Sequence, residues 1–174
     1  MGYIFRGSSP APVVGATSPG TSAPAAPGAM PSAESLQPLA APLLAALKAD
    51  PKNFETLVQL GNLYYDHRIY PEGIEYYTRA LELRPNDVNV RTDLGTAFWY
   101  SGFPEKAVAE YEKSLAVDPT HANTLFNLGI VRSEGLRDPA AAITAWEYLL
   151  KSHPEYPEKQ RVLELIAKAR NQKK

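Results

Sequence analysis

The chain has no cysteine. That absence excludes a disulfide framework, a thiolate metal site and a cysteine nucleophile. It fits either redox compartment, so it assigns none, and periplasmic and cytoplasmic placements both remain open. Net charge is nearly absent too, because 18 basic and 19 acidic side chains leave −1. Such a balance provides no electrostatic footprint for a nucleic-acid duplex or an anionic membrane. Long apolar runs are missing as well, so no membrane span is expected. The stretch Met1-Gly2-Tyr3-Ile4-Phe5 is far too short for a span or a signal-peptide core. Gly2 is followed at position 6 by Arg6 rather than Ser or Thr, so the myristoylation pattern is not met.

Charge is scarcest at the start. Residues 1–35 carry only Arg6 and Glu34, and from Gly7 to Ser35 most residues are Pro, Gly, Ser, Ala or Thr. Such a composition buries too little apolar surface to offset its ordering entropy, so residues 1–35 read as a disordered tail or tether. Pro24 and Pro27 make a PxxP spacing without a basic flank, which reads as spacer rather than recognition motif. An apolar stub, a cation and then a tether also fit the remnant of a membrane-anchored chain. As written, the sequence reads as soluble.

From Leu36 a period appears. Leu60-Gly61, Leu94-Gly95 and Leu128-Gly129 stand 34 residues apart. Pro51, Pro85, Pro119 and Pro154 follow at steps of 34, 34 and 35. Tyr77, Tyr111 and Trp146 keep the same step, with one extra residue before the last. A fixed period near 34 with helical composition signals a helical solenoid.

Each unit divides into two amphipathic helices. Leu57, Leu60, Gly61 and Tyr64 fall at i, i+3, i+4 and i+7, one face of a first helix over roughly 54–67. Pro71, Pro104 and Pro139 open the second helices, where a missing N–H costs nothing in the first turn. Pro85, Pro119 and Pro154 close them, since the ring disfavours helix at the preceding residue. The glycines lie inside helices and cost about 1 kcal/mol against alanine. Each is expected to face a small residue early in the second helix: Gly61 with Gly73, Gly95 with Ala107, Gly129 with Ala142. The aromatic at Tyr77, Tyr111 or Trp146 is expected to fill the gap toward the next unit.

The order Leu-Gly, aromatic, small, aromatic, Ala, Pro resembles the tetratricopeptide repeat. Unit one reads Leu57, Leu60, Gly61, Tyr64, Gly73, Tyr77, Ala80, Pro85; unit two Leu94, Gly95, Phe98, Ala107, Tyr111, Ser114, Pro119; unit three Leu125, Leu128, Gly129, Ala142, Trp146, Leu149, Pro154. Three departures stand out. Arg91 and Arg132 occupy apolar or aromatic positions, and one residue is inserted between Gly129 and Ala142. The resemblance implies an all-α fold, a right-handed α-α superhelix of the bacterial type, at 36–174. Its parts are a half-repeat at 36–51, repeats at 54–87, 88–121 and 122–156, and a capping helix at 157–170. Pro42 suggests that the half-repeat's regular helix starts near Ala41.

Catalysis finds little support. His67, His121 and His153 lie in different units, and no phosphate loop or nucleophile motif is present. The chain is expected to be non-catalytic, with no cofactor and no metal.

The resemblance implies partner binding in a concave groove lined by the first helices. The residues expected to form it are Gln59, Asn62, Tyr65, Asp93, Thr96, Trp99, Tyr100, Phe126, Asn127 and Ile130, with Glu55, Asp66 and Glu134 nearby. These positions carry acids and no Lys or Arg. Chaperone-binding members hold a terminal carboxylate with basic groups, yet Val58, Asn123 and Asn127 stand where those would be. The expected ligand is therefore a neutral or basic protein segment rather than a C-terminal carboxylate motif. Asn62, Gln59 and Asn127 suit an extended backbone, because amides both donate and accept. Two functions follow: an adaptor, such as a membrane-tethered one in cytochrome c maturation assemblies, or a scaffold that self-associates through repeat edges or aromatic surface.

Overall fold

The computed structural model describes residues 32–172. The tail expected at 1–31, its PxxP spacing and the apolar stub lie outside the described residues, as do Lys173 and Lys174.

Among the described residues eight α-helices follow one another: α1 (Gln37–Ala49), α2 (Phe54–Asp66), α3 (Tyr70–Leu83), α4 (Val88–Tyr100), α5 (Pro104–Val117), α6 (Ala122–Ile130), α7 (Pro139–Ser152) and α8 (Lys159–Gln172). No strand occurs among the described residues. Each helix packs on the next, and α4 also touches α6. The chain is an all-helical solenoid in which α2, α4 and α6 form one row and α3, α5 and α7 the other.

Two boundaries differ from the sequence reading. Residues 33–35, expected in the tail, form a short 3₁₀ turn, Ala33–Leu36, capped by the Ser32 side chain. Leu36 is buried and draws them in. Helix α1 starts at Gln37 rather than near Ala41, with Pro42 inside it. Pro42 lies so near the helix start that it deletes a single ladder bond, to the Pro38 carbonyl.

Helix starts follow a local rule. Asn53 accepts from the Thr56 N–H at 2.9 Å, and Asp87 accepts from the Val90 N–H at 2.9 Å. These side chains satisfy donors that helix geometry leaves unpaired. His121 holds the equivalent place ahead of α6 and makes no such cap.

The turns inside the repeats are equally regular. Arg68, Gly102 and Arg137 all adopt positive φ, at 63°, 83° and 53°. They are spaced by 34 and 35 residues, the repeat period itself. The inserted residue of unit three is absorbed just before the third turn, where Val131–Gly135 is wound as a π-helix. A π turn is the usual way to accommodate one extra residue in a helix.

The glycines confirm close helix approach, because a Cβ on Gly73 would meet the Gly61 carbonyl oxygen at 3.3 Å. The aromatics, however, do not reach mainly toward the next unit. Tyr77, Tyr111 and Trp146 lie over the glycine of their own unit. Each is fully buried and anchored by a hydrogen bond. Tyr77 donates to Asn62 Oδ1 (2.8 Å), Tyr111 pairs with Thr96 Oγ1 (3.0 Å), and the Trp146 indole N–H donates to the Phe126 carbonyl (3.1 Å).

The two basic departures also find partners. Arg91 Nη1 meets Glu110 Oε2 at 2.7 Å, with both side chains largely shielded. Arg132 Nη2 meets Glu112 Oε1 at 2.6 Å. Each ion pair joins neighbouring helices where the family packs apolar groups.

Candidate functional site

The row α2, α4 and α6 presents the expected groove residues in three different states. Gln59 is exposed, and Asn62 and Tyr65 are half-buried. Asn62 Oδ1 accepts from the Tyr77 hydroxyl, which fixes the orientation of the amide. Nearby, Asp66 is exposed, and Glu55 pairs with Arg84 at 2.7 Å.

Five residues expected to contact a ligand are instead buried: Asp93, Thr96, Phe126, Asn127 and Ile130. Thr96 takes up the Tyr111 hydroxyl and receives a hydrogen bond from Asn127 Nδ2 at 3.3 Å. Phe126 and Ile130 belong to the cluster formed with Val162 and Ile166 of α8. These side chains make the floor between units, where helix packing claims them.

Trp99 and Tyr100 serve packing as well. Trp99 is half-buried against Gly135, where a Cβ would come 2.5 Å from its ring and 2.9 Å from Pro104 Cβ. Tyr100 stacks on Tyr70 at 5.4 Å and meets Tyr65 edge-on at 6.1 Å. It lies at the turn edge of the solenoid and remains 39% exposed.

Sequence reasoning missed the contribution of the capping helix. Arg161 of α8 lies over the Phe126 ring at 5.1 Å and forms an ion pair with Glu158. Tyr156 approaches Phe126 at 6.4 Å between ring centres. Their signal was present: Glu158, Arg161 and Leu165 flank the buried Val162 and Ile166 stripe, so they share a face beside α6.

Tyr156 also borders a pocket of about 550 Å³ together with Ala122, Asn123, His153 and Pro157. Its hydroxyl is buried and has no hydrogen-bond partner among the described residues. Burial pushes that phenol up to about 12.

Between units two and three the interior is polar. Thr92 Oγ1 lies 2.6 Å from Thr124 Oγ1 and 3.2 Å from Ser114 Oγ. His121 Nδ1 lies 2.7 Å from Thr124 Oγ1, and Nε2 lies 3.1 Å from Asn89 Oδ1. Burial pushes the His121 pKa below its ordinary value, against the pull of Asp118 and Asp87 and with the help of His153.

No group of metal-ligating side chains gathers among the described residues. No helix among them is long and apolar enough to cross a membrane.

The tetratricopeptide repeat pattern matches residues 54–87 and again residues 92–132. A probable UDP-N-acetylglucosamine–peptide N-acetylglucosaminyltransferase, SPINDLY of Hordeum vulgare, is 33% identical over 116 residues. That match covers 63% of this chain and spans only 12% of the relative's length. Among solved structures, MamA superposes with a TM-score of 0.68 at 26% identity, over 75% of this chain and 69% of that one. The first repeat domain of Spaghetti, solved bound to an HSP90 peptide, gives 0.61 at 22% identity, over 69% and 94%. The repeats, their helix pairs and these likenesses agree: the chain belongs to the tetratricopeptide repeat family.

Proposed function

We propose that the chain is a non-catalytic interaction module whose inner row binds a neutral or basic extended segment of a partner protein. One observation carries the reading. Asn62 is fixed by Tyr77 with its NH₂ group left to donate, on a row whose exposed ionisable groups are acidic. Such an amide suits a main-chain carbonyl, and Gln59 one turn earlier extends the ladder. The half-buried Tyr65 supplies an adjacent apolar surface. The α8 cation, Arg161, is compensated by Glu158, so it leaves little attraction for a ligand carboxylate. The Spaghetti domain binds its peptide on the same fold, which supports a groove role without carrying over its ligand. A membrane tether, as in cytochrome c maturation assemblies, would draw on the Pro/Ala/Gly/Ser-rich tail.

Fluorescent peptides with a common apolar centre, flanked by Lys, Gln or Glu, test this reading. Titrated into the chain, the Lys and Gln peptides are expected to bind and the Glu peptide to bind at least about tenfold more weakly. Equal binding of all three, or preference for Glu, overturns it.

The scaffold alternative draws on the turn edge, where Tyr100 and Phe103 are 39% and 47% exposed. Light scattering that grows with concentration would favour it, and a constant monomer mass would reject it.

A further inference from the structure

We infer that the pocket between the start of α6 and the turn leading into α8 is an anchor site for one large apolar residue of a partner segment, whose main-chain carbonyl is taken by the Tyr156 hydroxyl and the first turn of α6. The inference rests on the neutral or basic segment proposed above and adds where its apolar side chain is held.

The first argument is an orphaned donor. Tyr156 is 9% exposed, and its hydroxyl is buried without a hydrogen-bond partner among the described residues. The buried hydroxyls of Tyr77 and Tyr111, in contrast, are bonded to Asn62 and Thr96. Buried polar groups are paired as a rule, so an acceptor on a ligand would complete this one. Burial pushes the phenol up to about 12, so it stays protonated and donates.

The start of α6 adds donors to the same place. Asn53 and Asp87 cap the first turns of α2 and α4, whereas His121 places no side-chain acceptor on the first turn of α6. Ala122 and Asn123 of that turn line the pocket together with Tyr156. Two separate elements thus bring donors to one cavity.

The walls decide what else the ligand carries. The cavity, about 550 Å³, has the size of small-ligand sites and takes a side chain with its flanking peptide groups. Ala122, Pro154, Pro157 and the Tyr156 ring give it mainly apolar walls. The charges around it are balanced. Glu158 pairs with Arg161, and Glu155 is matched in number by Lys159, whose Nζ donates to the Pro154 carbonyl at 3.1 Å. The positive end of α6 is answered by Asp118, which is in electrostatic contact with His121 and His153. A carboxylate would therefore enter an apolar cavity without a cation left to pair it, which is unfavourable. A neutral carbonyl takes the donors without that cost.

Three small probes test the site on the full chain through amide chemical shifts. N-acetylphenylalaninamide is expected to shift the amides of Asn123, Tyr156 and Glu158 saturably. N-acetylphenylalanine, with its carboxylate, and N-acetylalaninamide, without the ring, should each bind at least about fivefold more weakly. Tyr156→Phe keeps the ring and removes the hydroxyl. The thermal midpoint should hold or rise, while affinity for the first probe drops about threefold to tenfold, the worth of one net hydrogen bond. Shifts that are absent, or confined to other regions, overturn the inference, and so does equal binding of either control probe. A lower midpoint of the variant would show that the hydroxyl serves the fold, and an unchanged probe affinity that it serves no ligand; each result overturns it as well. The Gln-flanked peptide separates this site from the groove reading. If it binds and moves amides around Asn62 but not those of Asn123 and Tyr156, the groove stands and the anchor site falls. If the first probe fills the pocket as expected and no peptide binds, the anchor site stands and the groove reading fails.

Discussion

Tyr77 lies flat over Gly61, and a Cβ on that glycine would come 2.6 Å from the ring's Cδ1. The same relationship repeats in unit two, where a Cβ on Gly95 would come 2.6 Å from Tyr111 Cε1 and 3.1 Å from the Ala107 carbonyl oxygen. Neither neighbour can retreat easily. The Tyr111 hydroxyl is tied to Thr96, and the Ala107 carbonyl is helix backbone. Gly95→Ala is thus expected to destabilise by about 1–3 kcal/mol through overpacking, despite alanine's better helix propensity. Urea denaturation reads this as a lower midpoint, and an unchanged midpoint would show that the aromatic gives way.

The turn positions lead to a prediction of opposite sign. Arg68 and Arg137 adopt the left-handed backbone that Gly102 adopts without strain. For a residue with a Cβ this conformation costs roughly 1 kcal/mol. Arg68→Gly and Arg137→Gly should each raise stability by up to about 1 kcal/mol. Gly102→Ala should lower it by a similar amount, although nothing lies within 4 Å of the added Cβ. Thermal midpoints of the three variants check the claim, and a loss on Arg68→Gly would locate an unrecognised role in the arginine side chain.

Periodicity made the helices legible because prolines and Leu-Gly pairs are local signals. It made the groove legible only in part. The inner-row positions of unit one, Gln59, Asn62 and Tyr65, are accessible, while their equivalents Asp93, Thr96, Asn127 and Ile130 are buried. The difference arises from tertiary packing: hydroxyls bridge units two and three, and α8 covers α6. No single repeat encodes those contacts. The insertion before Ala142 was visible as a count, but not its outcome, a π turn whose last residue, Gly135, lies against Trp99 of the preceding unit.

His121 should make stability depend on pH. Its pKa in the fold is lowered from 6.5 by burial. The unfolded chain therefore takes up a proton on acidification before the folded chain does. The stabilisation is complete above about pH 6.5 and is lost as pH falls through 6.5 toward the folded value. Glu55 and Asp118 also have lowered values, but from references of 4.5 and 3.8, so they act at lower pH. Between pH 7 and 5 the thermal midpoint is expected to fall, and His121→Asn is expected to flatten that fall. Asparagine is the residue found at the matching cap, Asn53, which preserves the start of α6. An identical pH slope in the variant would place the effect elsewhere.

The groove itself is best probed at Asn62, since Trp99→Ala would also open a cavity beside Gly135. Asn62→Asp keeps an oxygen to accept the Tyr77 hydroxyl and deletes the NH₂ donor. The fold should consequently survive with little change in midpoint. Affinity for the Gln-flanked peptide should drop about fivefold to thirtyfold, the worth of one or two net hydrogen bonds. The Lys-flanked peptide should lose less, because the new carboxylate attracts it while the lost donor weakens it. A uniform loss for both peptides would mean that Asn62 acts through packing. Unchanged binding of both would move the contact surface away from the inner row, to the turn edge around Tyr100.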